Sequence, residues 1–280
     1  MKARFFIISL LFLPIIAWGK TSFTITPEKV IQGEPMMVQV EGVTLDQIKS
    51  FSFNGKHLQS FDYKGKPTVF IAFDLNQAPE DYMLSLTLQN DVTITKLITL
   101  HKREKIEAPL GIPDKLGGNT PQAATNLVSN LSKENALLNS LWTNPKKLWT
   151  KNFIFPLSEI YVTDEYGYSR ETGQYSIAHK GTDFRASEGT KVYAMNRGVV
   201  RLSRLTTVYG NTVVVDHGQG IMTFYMHLSS RFVNEGQLVN QGDVLGLSGK
   251  TGYAESPHLH LSVRIRGVSI DPMKFMNLVK

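Results

Sequence analysis

The run His258-Leu259-His260-Leu261-Ser262-Val263-Arg264-Ile265 alternates without a break. Leu259, Leu261, Val263 and Ile265 fall on one side of a two-residue repeat, and His258, His260, Ser262 and Arg264 fall on the other. Such a run belongs in a sheet with one face against a core and the other carrying two imidazoles. Imidazoles at i and i+2 stand about 6–7 Å apart, twice the rise of a strand residue, so both can address one small centre. Further strand-like runs precede it: Lys191 to Met195, Gly198 to Leu205, Thr212 to Asp216, Ile221 to His227 and Asp243 to Leu247. Glycines such as 198, 210, 220, 236, 242 and 252 mark the turns between them. Residues 151–280 show no long helical period, so this domain reads as mainly antiparallel β.

Two other phrases carry groups of the same kind. In His179-Lys180-Gly181-Thr182-Asp183 the spacing of four and the central glycine suit a bend that points both side chains one way. In Thr223-Phe224-Tyr225-Met226-His227, alternation puts His227 on a polar face with Thr223 and Tyr225. The chain has no cysteine, so any metal must be held by nitrogen and oxygen. Zinc catalysis asks for three protein ligands and an open position, with a separate base and a donor for the developing oxyanion. His179, Asp183, His227, His258 and His260 are five candidates for these roles. His217 reads as structural, and His57 and His101 as surface residues.

The phrases His179-Lys180-Gly181-Thr182-Asp183, Tyr225-Met226-His227-Leu228 and Ser256-Pro257-His258-Leu259-His260 together resemble the three motifs of the lysostaphin-type (LytM-like) peptidoglycan zinc metallopeptidases. Intervening pieces match as well, among them Gly210-Asn211-Thr212-Val213-Val214-Val215-Asp216-His217-Gly218 and Ile270-Asp271-Pro272. The resemblance covers about residues 150–275. It implies a small antiparallel β domain with a groove over one zinc ion, held by His179, Asp183 and His260. By the same resemblance His258 is the base that activates the attacking water, and His227 steadies the oxyanion or shares in proton transfer. The implied reaction is hydrolysis of peptide bonds in the stem or cross-link of peptidoglycan. Tyr166-Gly167-Tyr168-Ser169-Arg170 stands where many members carry Phe-Gly and a nearby arginine, and the segment 171–178 is shorter than usual. Arg170, Tyr175 and Asn211 are candidate substrate contacts. The rival reading is a non-catalytic relative that binds or activates another wall hydrolase. Such relatives usually lose a ligand, and here every one is present.

The rest of the chain reads as delivery and framing. Lys2 and Arg4 precede the apolar run Phe5 to Ile16, and Ala17-Trp18-Gly19 offers a cleavage site, so residues 1–19 read as a signal peptide. An exported protein follows, periplasmic in a Gram-negative cell or secreted, with no stable membrane insertion after removal of the signal. Residues 20–105 hold short alternating runs and the hairpin signal Asn54-Gly55, which suggests an immunoglobulin-like β-sandwich. Residues 106–150 form a linker. Thr120-Pro121 opens it as an N-cap, and Leu127, Leu131, Leu137, Leu138 and Leu141 suit one interrupted or two short helices. A net charge of +6 without a Lys/Arg cluster argues against a nucleic-acid partner and leaves peptidoglycan peptides as the expected one. The linker reads as a helical strut packed on one or both domains; the alternative is that it or the β module covers the site and holds the enzyme latent.

Overall fold

The computed structural model describes residues 21–280, so the expected signal segment 1–19 lies outside the described residues. The N-terminal part packs two sheets face to face. One orders Ser22–Thr26, Pro35–Glu41, Lys66–Ala72 and Phe61–Tyr63; the other orders Val30–Ile31, Thr93–His101, Asp81–Leu88, Ile48–Phe53 and Lys56–His57. Alternation drives the packing: Met36, Val38 and Val40 from one sheet meet Leu84, Leu86 and Leu88 from the other in a shared core. The Asn54-Gly55 turn forms as expected, with φ of 47° and 75°, the left-handed values that a two-residue hairpin loop needs. His57 and His101 are exposed.

The linker is more regular than its sequence suggested. Glu107–Pro109 lies parallel to Ser169–Thr172, and a single uninterrupted helix, α1, spans Pro121–Asn139. Thr120 caps α1, its hydroxyl accepting from the Ala123 N–H at 3.3 Å. One uninterrupted helix replaces the expected interrupted helix or pair of short ones because Leu127 and Leu138 enter different apolar clusters along it. Leu127 packs with Ile112 and Val208, and Leu138 packs with Leu202, Met222 and Phe224. Each fully buried leucine contributes about 1.5–3 kcal/mol. Trp149 then packs on Phe61 and Phe153, tying the sandwich to the C-terminal domain.

That domain is built on one large antiparallel sheet in the order Val162–Asp164, Thr182–Arg185, His258–Ile265, Ile221–Leu228, Asn211–Gly218, Gly198–Leu205, Leu238–Val239. Its inner face sets Leu259, Leu261, Val263, Tyr225, Val213 and Val215 into the main core. The outer face carries His260, Ser262 and Arg264, paired across the strands with Met226, Phe224 and Met222. Helix α1 lies on this outer face. A second helix, α2 (Pro272–Val279), was not expected from the sequence. Its signal is Asp271-Pro272: the Asp271 carboxylate accepts from the N–H groups of Met273 and Lys274, with proline at the first helical position. Among the described residues no helix is long and apolar enough to cross a membrane.

Candidate metal centre

Asp183 and His260 face one another across the Thr182–Arg185 and His258–Ile265 strands, and His179 reaches them from the preceding segment. Gly181 makes the approach feasible, since a Cβ there would sit 2.3 Å from His260 Nε2. His179 Nε2 lies 3.2 Å from Asp183 Oδ1 and 3.1 Å from His260 Nδ1, and His260 Nδ1 lies 2.7 Å from Asp183 Oδ1. All three residues are buried.

The outward hydrogen bonds decide what these three atoms are. His179 Nδ1–H donates to the Glu165 carbonyl at 2.8 Å, which leaves Nε2 with a lone pair. The Ser262 hydroxyl is spent on the Lys180 carbonyl at 2.5 Å, so His260 Nε2–H must donate to Ser262, and its Nδ1 faces inward as a lone pair. Three acceptors with no proton between them call for a cation. Two imidazoles and one carboxylate are a donor set suited to zinc, and the residues fit it. Burial would raise the Asp183 pKa, but positive charge on the adjacent His179 and His260 rings outweighs that and holds the carboxyl well below its usual range. A bound cation would supply that charge when the rings ligate as neutral imidazoles. Burial pushes His260 down to about 4 against the pull of Asp183, so the ring is neutral, the form that ligates a metal.

His227 and His258 stand next to this trio, with ring centroids 4.9 Å apart. The placement of His227 corrects the alternation reading. Thr223 and Tyr225, its expected companions, are fully buried on the inner face. His227 leaves their register because its φ is 60°, which turns the ring to the outer face, 5.9 Å from that of His260. The left-handed conformation costs about 1–2 kcal/mol for a residue with a Cβ. Two bonds offset it: the His227 N–H donates to the Tyr209 carbonyl and Nδ1–H to the Thr251 carbonyl, both at 2.9 Å. Burial, reinforced by His258 and His260, pushes the His227 pKa down to about 3. His258 Nδ1–H donates to the Ser256 carbonyl at 2.8 Å, and its Nε2 lies 3.9 Å from Asp183 Oδ1. Both flanking histidines therefore present a bare Nε2.

The three expected substrate contacts are engaged inside the protein. Arg170 donates to Asp183 Oδ2 at 2.6 Å and also pairs with Asp164, so it braces the carboxylate from behind. Asn211 donates to the carbonyls of Leu228 and Ser229 and accepts from Arg231, which uses both ends of its amide. The Tyr175 hydroxyl is 3.1 Å from that of Thr125 on α1. Sequence reasoning missed the bracing role of Arg170 and the tautomer-setting role of Ser262. Arg170 was marked by the resemblance, but as a substrate contact, and Ser262 left its signal by sharing the face of His258 and His260. His217 is structural: its Nδ1–H donates to the Arg197 carbonyl and its Nε2 faces the Thr223 hydroxyl.

The linker roofs the site. A cavity of about 600 Å³ has His179, His227 and His260 on one side and Leu127, Leu131 and Asn135 of α1 on the other. A second, of about 340 Å³, lies between Pro109, Gly111 and Glu255 and the Asp183–His258 side.

Comparison with known proteins bears on this arrangement. The profile of peptidase family M23 matches residues 177–272. The peptidoglycan DD-endopeptidase ShyA of Vibrio cholerae serotype O1 is 46% identical over 96 residues, 34% of this chain and 22% of that protein. The peptidoglycan DD-endopeptidase ShyB of the same organism is 35% identical over 125 residues, 43% of this chain and 29% of that protein. The chain thus spans less than a third of the length of either relative. A crystal structure from Pseudomonas aeruginosa assigned to peptidase M23 covers 90% of this chain and 96% of its own, with a TM-score of 0.58 at 22% identity, and so shares the fold. Around the His179, Asp183 and His260 cluster, residues 177–272 form a peptidase family M23 domain.

Proposed function

We propose that this chain is a zinc-dependent endopeptidase that hydrolyses peptide bonds in the stem or cross-link peptides of peptidoglycan, in an exported, periplasmic protein. The observation that carries the reading is the convergence of three lone pairs, from His179, Asp183 and His260, beside the bare Nε2 atoms of His227 and His258. The naming of ShyA and ShyB as peptidoglycan DD-endopeptidases supports the substrate class.

When bound, zinc would polarise the scissile carbonyl and acidify the attacking water. The chain's own groups do the rest. His258 is the general base: with its Nδ1–H committed to Ser256, Nε2 is free to take the water proton. His227 is also an acceptor in its neutral form, because Nδ1–H is committed to Thr251. It therefore orients the water first, and donates to the oxyanion or leaving amine only after taking a proton. Arg170 keeps Asp183 Oδ2 occupied, so that Oδ1 faces the site. The roof made by residues 109–111 and α1 keeps a polymer from the groove, and the closed form is latent.

Incubating the mature protein with cross-linked peptidoglycan, with zinc and with a chelator, tests the reading. New peptide termini are expected with zinc and none with chelator; wall binding without new termini would favour the non-catalytic alternative.

A further inference from the structure

Glu134 is a buried carboxylate on α1, and it is engaged by a segment 73 or more residues away. Its Oε1 accepts from the N–H groups of Thr207 and Val208 at 2.5 and 2.9 Å, and its Oε2 accepts from the N–H of Tyr209 at 3.1 Å. Three consecutive backbone N–H groups that converge on one carboxylate form an anion-binding nest. This nest belongs to the catalytic domain and its occupant to the linker. Val208 and Tyr209 line the same cavity as His179, His227 and His260, and the Tyr209 carbonyl receives the His227 N–H.

A second, independent feature of that cavity also suits an anion. Arg264 lines it, only 8% exposed, on the outer face of the strand that carries His260. Its guanidinium lies over the Phe224 ring, and its Nη1 donates to Asn139 of α1 at 2.7 Å. Its Nε has no partner, and no carboxylate pairs with it among the described residues. A buried cation whose partners are an aromatic face and a neutral amide is costly unless an anion can reach it.

We propose that the backbone nest of Thr207, Val208 and Tyr209, with Arg264 lining the same cavity, is a subsite for a carboxylate of the peptide substrate, and that Glu134 occupies it in the closed form as a built-in stand-in. The identification of that carboxylate as a peptide's rests on the hydrolase reading above; the nest itself does not. Opening the roof withdraws Glu134 and frees three aligned donors at the groove. A peptide with a free carboxylate then gains what α1 loses, so ligand binding and opening favour one another.

The test uses the full-length chain, isotope-labelled, chelator-treated, and titrated with N-acetyl-dialanine or with its C-terminal amide. In Glu134→Gln the amide resonances of Thr207, Val208 and Tyr209 are expected to move saturably with the free acid, at concentrations roughly tenfold lower than in the wild type. The C-terminal amide should leave them unmoved. Adding Arg264→Gln to Glu134→Gln should return the affinity towards the wild-type value. Glu134→Asp, which keeps the charge but shortens the reach, serves if Glu134→Gln does not fold and should fall between the two. Unmoved amides in a folded variant, or equal movement with acid and amide, would overturn the proposal. Because the protein is metal-free, the result is independent of turnover: a failed hydrolysis assay leaves the subsite standing, and absent binding leaves the hydrolase reading standing.

Discussion

Asp183 is held from two sides, and each side has its own consequence. Its Oδ1 faces the two imidazoles while Arg170 and Asp164 organise the space behind Oδ2. Asp183→Ala should lose both bound zinc and turnover, whereas His258→Ala should keep zinc and lose turnover. Metal content by mass spectrometry beside a peptidoglycan assay separates them, and an active His258→Ala would refute the base assignment. Arg170→Ala leaves all three ligands in place but frees the carboxylate to rotate. Zinc affinity should fall about 10–100-fold, the usual cost of losing an outer partner of a metal ligand, as read by competition with a chromogenic chelator. The five candidate residues were legible because histidine and aspartate are chemically distinctive and His258 and His260 share one alternating strand, while the choice of ligands among them came from the resemblance. His227 was legible as a candidate but not in its direction, since alternation assumes φ < 0 and His227 sits at 60°.

At the scale of elements, α1 decides what the groove can admit. It rests on the outer face through Leu138 near one end and Leu127 towards the other, with Glu134 and Asn135 between them and Asn139 at the C-terminal end bonded to the catalytic domain. Leu138→Asp places a charge among Leu202, Met222 and Phe224, which destabilises docking by about 3 kcal/mol or more. Peptidoglycan hydrolysis by the full chain should rise several-fold, and exchange of α1 amide hydrogens should quicken. Unchanged hydrolysis alongside faster exchange would exclude the helix as a cover. The leucine stripe and the Thr120-Pro121 cap were readable as a helix start and an apolar face. The surface that face would meet was not, because it belongs to strands about 60 to 100 residues further on. The strands Ser169–Thr172 and Tyr175–Ala178 were missed for a related reason. They carry little apolar alternation, and their pairing with each other and with Glu107–Pro109 fixes them instead.

For the molecule as a whole, the buried His217 supplies a pH limit. Burial pushes its pKa from 6.5 down to about 4, so between these values the unfolded chain takes up a proton that the folded chain refuses. Stability from this residue is fully present above about pH 6.5 and is lost as pH falls towards 4, by about 3 kcal/mol in all. Chemical denaturation of the metal-free protein across that range should show the loss, and His217→Gln should flatten its slope. By itself the sequence determined a β protein without thiol chemistry, the five polar side chains around its centre, and the alternation that sets His260 on a groove face, because these depend on residue type and on local periodicity. Only the tertiary structure decided which way His227 points, that Arg170 serves Asp183 rather than solvent, and that α1 lies across the groove with Glu134 in a backbone nest. Those outcomes turn on left-handed backbone, on which donors are already spent, and on contacts between segments far apart in the chain, none of which a linear pattern encodes.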